Sequence, residues 1–408
     1  MLLREFLVNG SVAIAPFILS TLLMDANPSL YVYDKFIANQ HHKTKALRGK
    51  RIWITGASSG IGCELAKQLS SYGANLILSA RDESKLNNIA RECRLLQPIN
   101  SNEKVQQQTQ MNNNIYVLPM DVTATNKEIE EKVKYALKHH FQNQGLDILV
   151  LNAGRGQLSP ALYTDIESSK ELMNVNYFGP IQIALSVIKN DGWGKPELSK
   201  SNHISNNGNH QQSGDIFHAE KKGHIVVTSS IVAKLGTPLS SSYAGSKHAV
   251  HGYFSSLRSE YGKDWLRVDL PCPGPVNTNL SSMAVTATPT ETETETITNA
   301  GTIPVALKKN QIENHDEKKM TSERCAGLII SSMIGPPSLF YETWIVEQPT
   351  LTVMYIAQFF PSLANALLNF VGKIRMRAWK DGLPLYQVNG LLEAWKRTKK
   401  DLKKDKIT

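Results

Sequence analysis

Short apolar runs alternate with longer stretches of helical periodicity along the middle of this 408-residue chain. The runs are RIWIT, ANLILSAR, VLPMDVT, DILVLNAG and HIVVTSS. Strands that alternate with helices predict a parallel sheet with helices on both faces. The predicted fold class is therefore α/β, a single doubly wound domain.

An uncharged apolar segment, FLVNGSVAIAPFILSTLLM, covers residues 6–24. Its length approaches the roughly 20 apolar residues that cross a bilayer, so we predict an uncleaved membrane anchor within residues 1–26. A cleaved signal peptide is the competing interpretation, although the following DANPSL lacks a clear small-x-small site. A mitochondrial presequence fits less well because Glu5 and Asp25 are acidic.

Basic residues are concentrated at the end of residues 27–49, a predicted linker, and just beyond it. The basic residues that follow the apolar segment are Lys43, Lys45, Arg48, Lys50 and Arg51. Only Arg4 precedes the segment. The positive-inside bias therefore predicts that the main domain faces the cytosol.

A second apolar stretch lies in a C-terminal extension, residues 346–395. Residues 348–372 carry no charge and are followed by KIRMRAWK. Pro349 and Pro361 argue against one straight spanning helix. The stretch is predicted either to lie on a membrane surface, with its basic flank near lipid headgroups, or to pack as a helix over the core.

Residues 396–408 form a lysine-rich tail that ends in KDKIT. This ending resembles the dilysine retrieval signal of endoplasmic reticulum membrane proteins, with Lys404 and Lys406 at the matching places. We therefore predict the endoplasmic reticulum membrane as the location. Sequons at Asn9 and Asn279 would matter only in a lumenal protein and indicate the opposite orientation.

Three polar segments interrupt the strand and helix pattern, at residues 97–114, 190–222 and 281–320. They are rich in Gln, Asn, His, Thr or Glu and include TETETETIT, a composition that cannot build an apolar core. We predict low-complexity loops inserted into one domain, the first two without a functional role.

Charge and cysteine content narrow the function classes. The net charge of +9 is concentrated in the linker and tail, and no recognition motif accompanies it, so no nucleic-acid partner is predicted. Cys63, Cys93, Cys272 and Cys325 have neither a disulfide framework nor the spacing of metal ligands. No metal site is predicted.

A glycine-rich turn, TGASSGIG, follows the first predicted strand. Gly56, Gly60 and Gly62 let the backbone turn sharply and approach a pyrophosphate, whose charge the free N–H groups of the next helix can bind. Their spacing differs from G-x-G-x-x-G but meets the same need. We therefore predict a dinucleotide site, with an ordinary strand-to-helix turn as the alternative.

Arg81 ends the second predicted strand, where an acidic residue would otherwise bind the adenosine ribose. An arginine there suits a 2′-phosphate, so NADP(H) is favoured. NAD(H) stays possible because Asp82 follows immediately, and a surface arginine is the alternative interpretation.

Ser230, Tyr243 and Lys247 form the candidate catalytic set. Tyr243 and Lys247 are four residues apart and would share a helix face, where the ammonium favours the phenolate and makes the tyrosine an effective acid or base. Asp121, Asn152 and Ser230 each follow a predicted strand, and the carboxyl ends of parallel strands are where ligands bind.

With these motifs, residues 50–345 resemble the short-chain dehydrogenase/reductase family, whose members have a Rossmann domain. The family's glycine turn matches TGASSGIG, its NAG motif matches Asn152 to Gly154, and its P-G motif matches PCPGPVNT. Its catalytic Asn, Ser, Tyr and Lys match Asn176, Ser230, Tyr243 and Lys247.

The resemblance implies a role for each matched residue. Ser230 would bind the carbonyl oxygen, Tyr243 would donate the proton, and Asn176 would position a water that links Lys247 to solvent. Thr278 would lie near the nicotinamide carboxamide, and Lys247 would hold the nicotinamide ribose. The implied cofactor-binding residues are Gly56, Ser58, Ser59, Gly60, Ile61, Gly62, Arg81, Asp121, Val122, Asn152, Ala153, Gly154, Tyr243, Lys247, Pro273, Gly274, Val276 and Thr278.

The implied reaction is NADPH-preferring reduction of an apolar aldehyde or ketone, because the most similar segments resemble membrane-bound members with hydroxysteroid- and retinol-type relatives. A homodimer is also implied. In the family, the segment after the P-G motif closes over substrate, and here it contains the third insertion. The alternatives are an NAD-dependent alcohol dehydrogenase and a nucleotide-binding membrane scaffold without turnover.

Overall fold

The computed structural model describes residues 24–98, 114–141, 144–191, 193, 222–262, 264–278, 319–383, 385 and 388–404. Residues 6–23 of the predicted anchor lie outside this part of the chain, as do nearly all residues of the three predicted insertions. Within the described ranges, no helix is both long and apolar enough to span a membrane.

Seven parallel strands form the central sheet, in the order β3-β2-β1-β4-β5-β6-β9. Their bounds are β1 Arg51–Thr55, β2 Asn75–Ser79, β3 Ile115–Val117, β4 Ile148–Leu151, β5 Gly223–Val227, β6 Leu266–Pro273 and β9 Glu342–Ile345. Two short strands, β7 Val276–Asn277 and β8 Met320–Thr321, pair with each other. The predicted α/β class with a parallel sheet is confirmed.

Thirteen α-helices complete the described part of the chain. They are α1 Pro28–Phe36, α2 Gln40–Leu47, α3 Gly60–Ser71, α4 Glu83–Leu96, α5 Asn126–His139, α6 Ile166–Met173, α7 Gly179–Asp191, α8 Ser241–Tyr261, α9 Ser322–Ile334, α10 Pro337–Phe340, α11 Thr350–Phe359, α12 Pro361–Lys380 and α13 Val388–Lys404.

Helices cover both faces of the sheet. Ile52 and Ile54 of β1 pack in one core with α3, α4 and α9, whereas Trp53 packs in the opposite core with α5, α7 and α8. Neighbouring residues of a strand point to opposite faces, and both faces are buried here. This explains why the strands read as continuous apolar runs rather than as alternating ones.

The segment 27–49 differs from the predicted linker, because it folds as α1 and α2 against the domain. Leu30 and Leu47 are buried in the core. The Arg324 guanidinium binds Asp25 at 2.7 Å and Asp34 at 2.6 Å. Apolar burial and these ion pairs therefore fix the point at which the N-terminal chain joins the domain.

The C-terminal apolar stretch is divided into α11 and α12. The break falls at Phe360, and Pro361 occupies the first turn of α12, which agrees with the expected effect of the prolines. Part of the stretch is packed, since Leu351 and Met354 are buried, but Phe359 is 69% exposed and Phe360 is 63% exposed. The predicted packing over the core therefore holds for part of the stretch, and contact of its exposed part with a membrane stays a prediction. The lysine-rich tail continues α13 as far as Lys404.

Candidate active site

The sequence-predicted residues converge where the strand order reverses between β1 and β4. Strands β2 and β3 extend the sheet from β1, whereas β5 and β6 extend it from β4. The carboxyl ends of these strands border one crevice, the usual ligand site of a doubly wound sheet.

Three positions of the turn after β1 require glycine. Gly56 has a φ of +69°, and a Cβ there would lie 2.8 Å from Cα of Ala153. A Cβ at Gly62 would lie 2.2 Å from the Gly56 carbonyl oxygen. Gly60, with a φ of +54°, faces Thr278, whose Cγ2 would be 3.0 Å from a Cβ. The turn therefore brings Thr278 beside the start of α3.

Hydrogen bonds join the ends of three strands. The Thr55 hydroxyl accepts from the backbone N–H groups of Asn152 at 3.1 Å and Ala153 at 3.3 Å. The Asn152 amide accepts from the Thr228 hydroxyl at 3.1 Å and donates to the Gly56 carbonyl at 3.4 Å. Asn152 thus holds the glycine turn to the ends of β4 and β5.

These residues fit a dinucleotide. Helix α3 begins at Gly60, and the Ser59 side chain makes no capping hydrogen bond to its first turn. Ser58, Ser59 and Ile61 are only half-buried. The N–H groups at a helix start, beside glycines that permit a close approach, are suited to a pyrophosphate.

Arg81 lies just after β2 and is exposed. The neighbouring Asp82 caps α4, because its carboxylate accepts from the Lys85 backbone N–H at 3.0 Å and pairs with Lys85 Nζ at 3.1 Å. The Asp82 carboxylate, which was the reason to keep NAD(H) as a possible cofactor, is therefore engaged with α4.

Asp121 and Val122 follow β3. The Asp121 carboxylate accepts from the Thr123 backbone N–H at 2.9 Å and from its hydroxyl at 2.8 Å. The Val122 carbonyl accepts from Gln182 at 2.7 Å, which fixes this turn to α7.

Lys247 is buried on α8, one turn after Tyr243. Its Nζ lies 6.0 Å from the centroid of the Tyr243 ring and donates to the Thr228 carbonyl at 2.8 Å. Burial lowers the pKa of Lys247 to about 8. The lysine therefore stands near the phenol as predicted, and it also joins α8 to the end of β5.

Ser230 is buried between the ends of β5 and β6. Its hydroxyl donates to the Pro273 carbonyl at 3.3 Å and accepts from the Val232 N–H at 3.3 Å. The following Gly274 donates its N–H to the Ile345 carbonyl at 2.9 Å. Val276 lies in β7, which continues toward Thr278.

Asn176 sits in a π-helical turn between α6 and α7. Its side-chain amide accepts from the Arg155 N–H and donates to the Arg155 carbonyl, both at 2.9 Å. It also donates to Ser246 Oγ at 3.0 Å. A Cβ at Gly154 would lie 3.2 Å from Asn176 Oδ1 and 3.7 Å from Lys247 Nζ. Asn176 and Lys247 therefore flank the same glycine.

Three positioning residues were missed by sequence reasoning. Gln157 Oε1 accepts from the N–H groups of Ser242 at 2.8 Å and Tyr243 at 3.1 Å, so it caps the start of α8. Thr55 and Thr228 connect the strand ends. The two threonines could have been suspected from their places at strand ends, but no local signal marks Gln157.

Comparisons with known proteins agree with this geometry. Residues 50–195 and 210–288 match the family described as short chain dehydrogenase. Dehydrogenase/reductase SDR family member 7 of Homo sapiens is 33% identical over 333 residues, which cover 81% of this chain and 80% of the relative.

Solved structures share the fold. A short chain dehydrogenase/reductase from Burkholderia phymatum in complex with NAD has a TM-score of 0.55 at 19% identity, covering 78% of this chain and 96% of its own. A short chain dehydrogenase from Burkholderia cenocepacia in complex with NADP has a TM-score of 0.51 at 17% identity, covering 79% of this chain and 98% of its own. The chain belongs to the short chain dehydrogenase/reductase family of NAD(P)-dependent oxidoreductases.

Proposed function

We propose that this protein is a membrane-associated, NADPH-preferring reductase of an apolar aldehyde or ketone, such as a retinoid or steroid. The observation that carries the proposal is the buried Lys247 ammonium beside Tyr243, at the strand ends that also hold the glycine turn. A cation there favours the phenolate and so matches the tyrosine to proton transfer near neutral pH.

The proposed chemistry divides between cofactor and chain. The nicotinamide, when bound, supplies the hydride. The Tyr243 hydroxyl donates a proton to the carbonyl oxygen, and the Ser230 hydroxyl turns from Pro273 to stabilise the charge on that oxygen. Lys247 keeps the phenol acidic, and Asn176 holds the backbone beside it.

NADPH preference rests on Arg81. Its guanidinium is exposed at the end of β2, whereas the Asp82 carboxylate is bound to Lys85. A free guanidinium can pair with a 2′-phosphate, and an engaged carboxylate repels it less. Arg81→Asp should therefore weaken NADPH binding more than NADH binding in fluorescence titrations. Arg91→Asp, the same charge change on α4, should alter neither, and equal losses for both nucleotides with Arg81→Asp would contradict the phosphate role.

Membrane association is supported by an exposed apolar surface at the break between α11 and α12. We define this α11–α12 surface by Phe359, Phe360, Leu363, Leu367, Phe370 and Val371, all of which are exposed. Leu363, Leu367, Phe370 and Val371 recur at three- to four-residue spacing, so they share one face of α12. An apolar helix face exposed to solvent is typical of an interaction site. The residues that follow are basic, as headgroup contact requires.

The N-terminal chain joins the domain at the same helix. Met24 packs in one cluster with Leu351 and Met354 of α11. The apolar residues 6–23 therefore connect to the fold beside the α11–α12 surface, so that a bilayer could contact both.

A probe on the full chain tests this contact. An environment-sensitive dye attached through Phe370→Cys should shift to the blue when phosphatidylcholine and phosphatidylserine vesicles are added. The same dye on the exposed Leu95→Cys of α4 should not respond. Equal responses at both positions, or none at Phe370→Cys, would refute the docking. The endoplasmic reticulum location, the cytosolic orientation and the homodimer stay predictions.

A panel of apolar carbonyls with NADPH and NADH tests the reaction. Carbonyl-dependent oxidation of NADPH, faster than that of NADH and abolished in Ser230→Ala, is the expected result. Faster alcohol oxidation with NAD would favour the dehydrogenase alternative. Nucleotide binding without turnover across the panel would favour the scaffold and refute the proposal.

A further inference from the structure

A chain of buried polar side chains lies behind the catalytic strand ends. His251, one turn after Lys247 on α8, contacts Ser229 Oγ through Nδ1 at 3.1 Å and Glu342 Oε2 through Nε2 at 3.0 Å. Ser229 and His251 are both nearly inaccessible to solvent. Ser229 directly precedes Ser230, so this chain reaches the candidate site through the backbone of β5 and its following residues.

Glu342 fixes which nitrogen of His251 carries a proton. Burial alone would raise the pKa of the Glu342 carboxyl, but hydrogen bonds from His251 and Trp344 and the nearby Lys234 lower it to about 2. The carboxylate is therefore ionised at neutral pH and can only accept hydrogen bonds. The Nε2 atom of His251 must be the donor, as in other carboxylate-oriented imidazoles.

The opposite nitrogen then acts on Ser229. In the neutral imidazole, Nδ1 has a lone pair and accepts from the Ser229 hydroxyl. Cys272 Sγ lies 3.9 Å from the same nitrogen, as a weaker second partner. The Ser229 N–H also donates to the Pro271 carbonyl at 2.8 Å. The hydroxyl and the backbone N–H of Ser229 are therefore both held by hydrogen bonds.

The held residue lies between two groups of the candidate site. On one side is Thr228, whose carbonyl receives Lys247 Nζ, and on the other is Ser230. A displacement of Ser229 would therefore move the acceptor of the lysine and the hydroxyl that binds the carbonyl oxygen together. Displacements of about 1 Å at such positions cost large factors in rate.

We propose that His251 is a positioning residue for carbonyl reduction, which holds Ser230 and the Thr228 carbonyl in place through Ser229. The inference rests on the proposed function.

Four variants of the full chain test this role. His251→Gln and Ser229→Ala should each lower kcat by roughly tenfold, with little change in KM, since one buried hydrogen bond is lost. The double variant should lose no more than the larger single loss, because both changes remove one connection. His248→Gln, the same change at an exposed site on α8, should match the parent.

The double variant separates a shared connection from two independent structural effects. Losses that multiply in the double variant would overturn the proposal. If His251→Gln fails to fold, Ser229→Ala supplies the comparison, and an unchanged kcat in Ser229→Ala would overturn the proposal equally.

A second readout does not need turnover. Histidine ¹⁵N spectra of the parent should show the Nε2–H tautomer for the signal that disappears in His251→Gln, and the Nδ1–H tautomer would overturn the proposal. Absence of turnover in the parent would refute the proposed function alone.

Discussion

Lys247 should destabilise the fold at neutral pH, so Lys247→Met should produce a more stable protein that cannot turn over. Burial lowers the pKa of Lys247 from 10.5 to about 8. A tenfold change in proton affinity corresponds to about 1.4 kcal/mol, so burying the ammonium costs about 3 kcal/mol below pH 8. Methionine retains a similar length and removes the charge.

One hydrogen bond offsets part of this gain. Lys247 Nζ donates to the Thr228 carbonyl at 2.8 Å, and the variant leaves that carbonyl without this donor. A buried hydrogen bond contributes about 1 kcal/mol net. We therefore expect the free energy of unfolding to rise by about 2 kcal/mol near pH 7.

The gain should disappear as pH rises. Between about pH 8 and 10.5 the lysine is neutral in the folded protein but charged in the unfolded chain, so the parent gains stability relative to the variant. The difference between the two proteins should shrink by about 1.4 kcal/mol per pH unit in this window.

Urea unfolding of both proteins at about pH 7, 9 and 10, followed by circular dichroism, measures this difference. Lys170→Met is the matched control, because the Lys170 side chain is 62% exposed and its charge stays solvated. A Lys247→Met variant that is less stable than the parent near pH 7, or whose stability advantage is unchanged near pH 10, would show that burial of the Lys247 ammonium does not destabilise the fold.

Two further substitutions address the turn and the catalytic helix. Gly62→Ala should abolish nucleotide binding in a fluorescence titration, because its Cβ would lie 2.2 Å from the Gly56 carbonyl oxygen, whereas Gly327→Ala meets nothing closer than 3.5 Å and should bind normally. Normal nucleotide binding by Gly62→Ala would contradict the role of the glycine turn in holding the pyrophosphate. Gln157→Leu should lower kcat roughly tenfold, since the N–H groups of Ser242 and Tyr243 lose their acceptor, and Gln157→Glu should restore activity. Equal activity of the leucine and glutamate variants would exclude that capping role.

The sheet could be predicted because its signals are local. Strands β1, β2, β4 and β5 coincide with predicted apolar runs, and the glycine turn and the Tyr243–Lys247 spacing are visible within one or two turns of chain. The predicted run VLPMDVT begins only where β3, Ile115–Val117, ends. Strand β9 was not anticipated, since its pairing with β6 joins segments separated by the third insertion. Pairing between distant segments leaves no periodicity in either one.

The N-terminal segment shows the same limit. Its basic residues indicated a linker, but Arg324 binds Asp34 of α1 across 290 positions of sequence and so fixes α1 against the domain. The His251 chain was also missed, because Ser229, His251 and Glu342 come from three separate elements. Each looks ordinary alone, and only the fold brings them together.

The proposed function depends above all on proton donation by Tyr243 to a carbonyl beside the bound nucleotide. NADPH affinity and carbonyl-dependent NADPH oxidation are therefore compared between the parent and Tyr243→Phe, with Tyr253→Phe of the same helix as control. We expect unchanged affinity and a loss of at least about a hundredfold in kcat for Tyr243→Phe alone. Undiminished turnover in Tyr243→Phe would contradict proton donation by Tyr243.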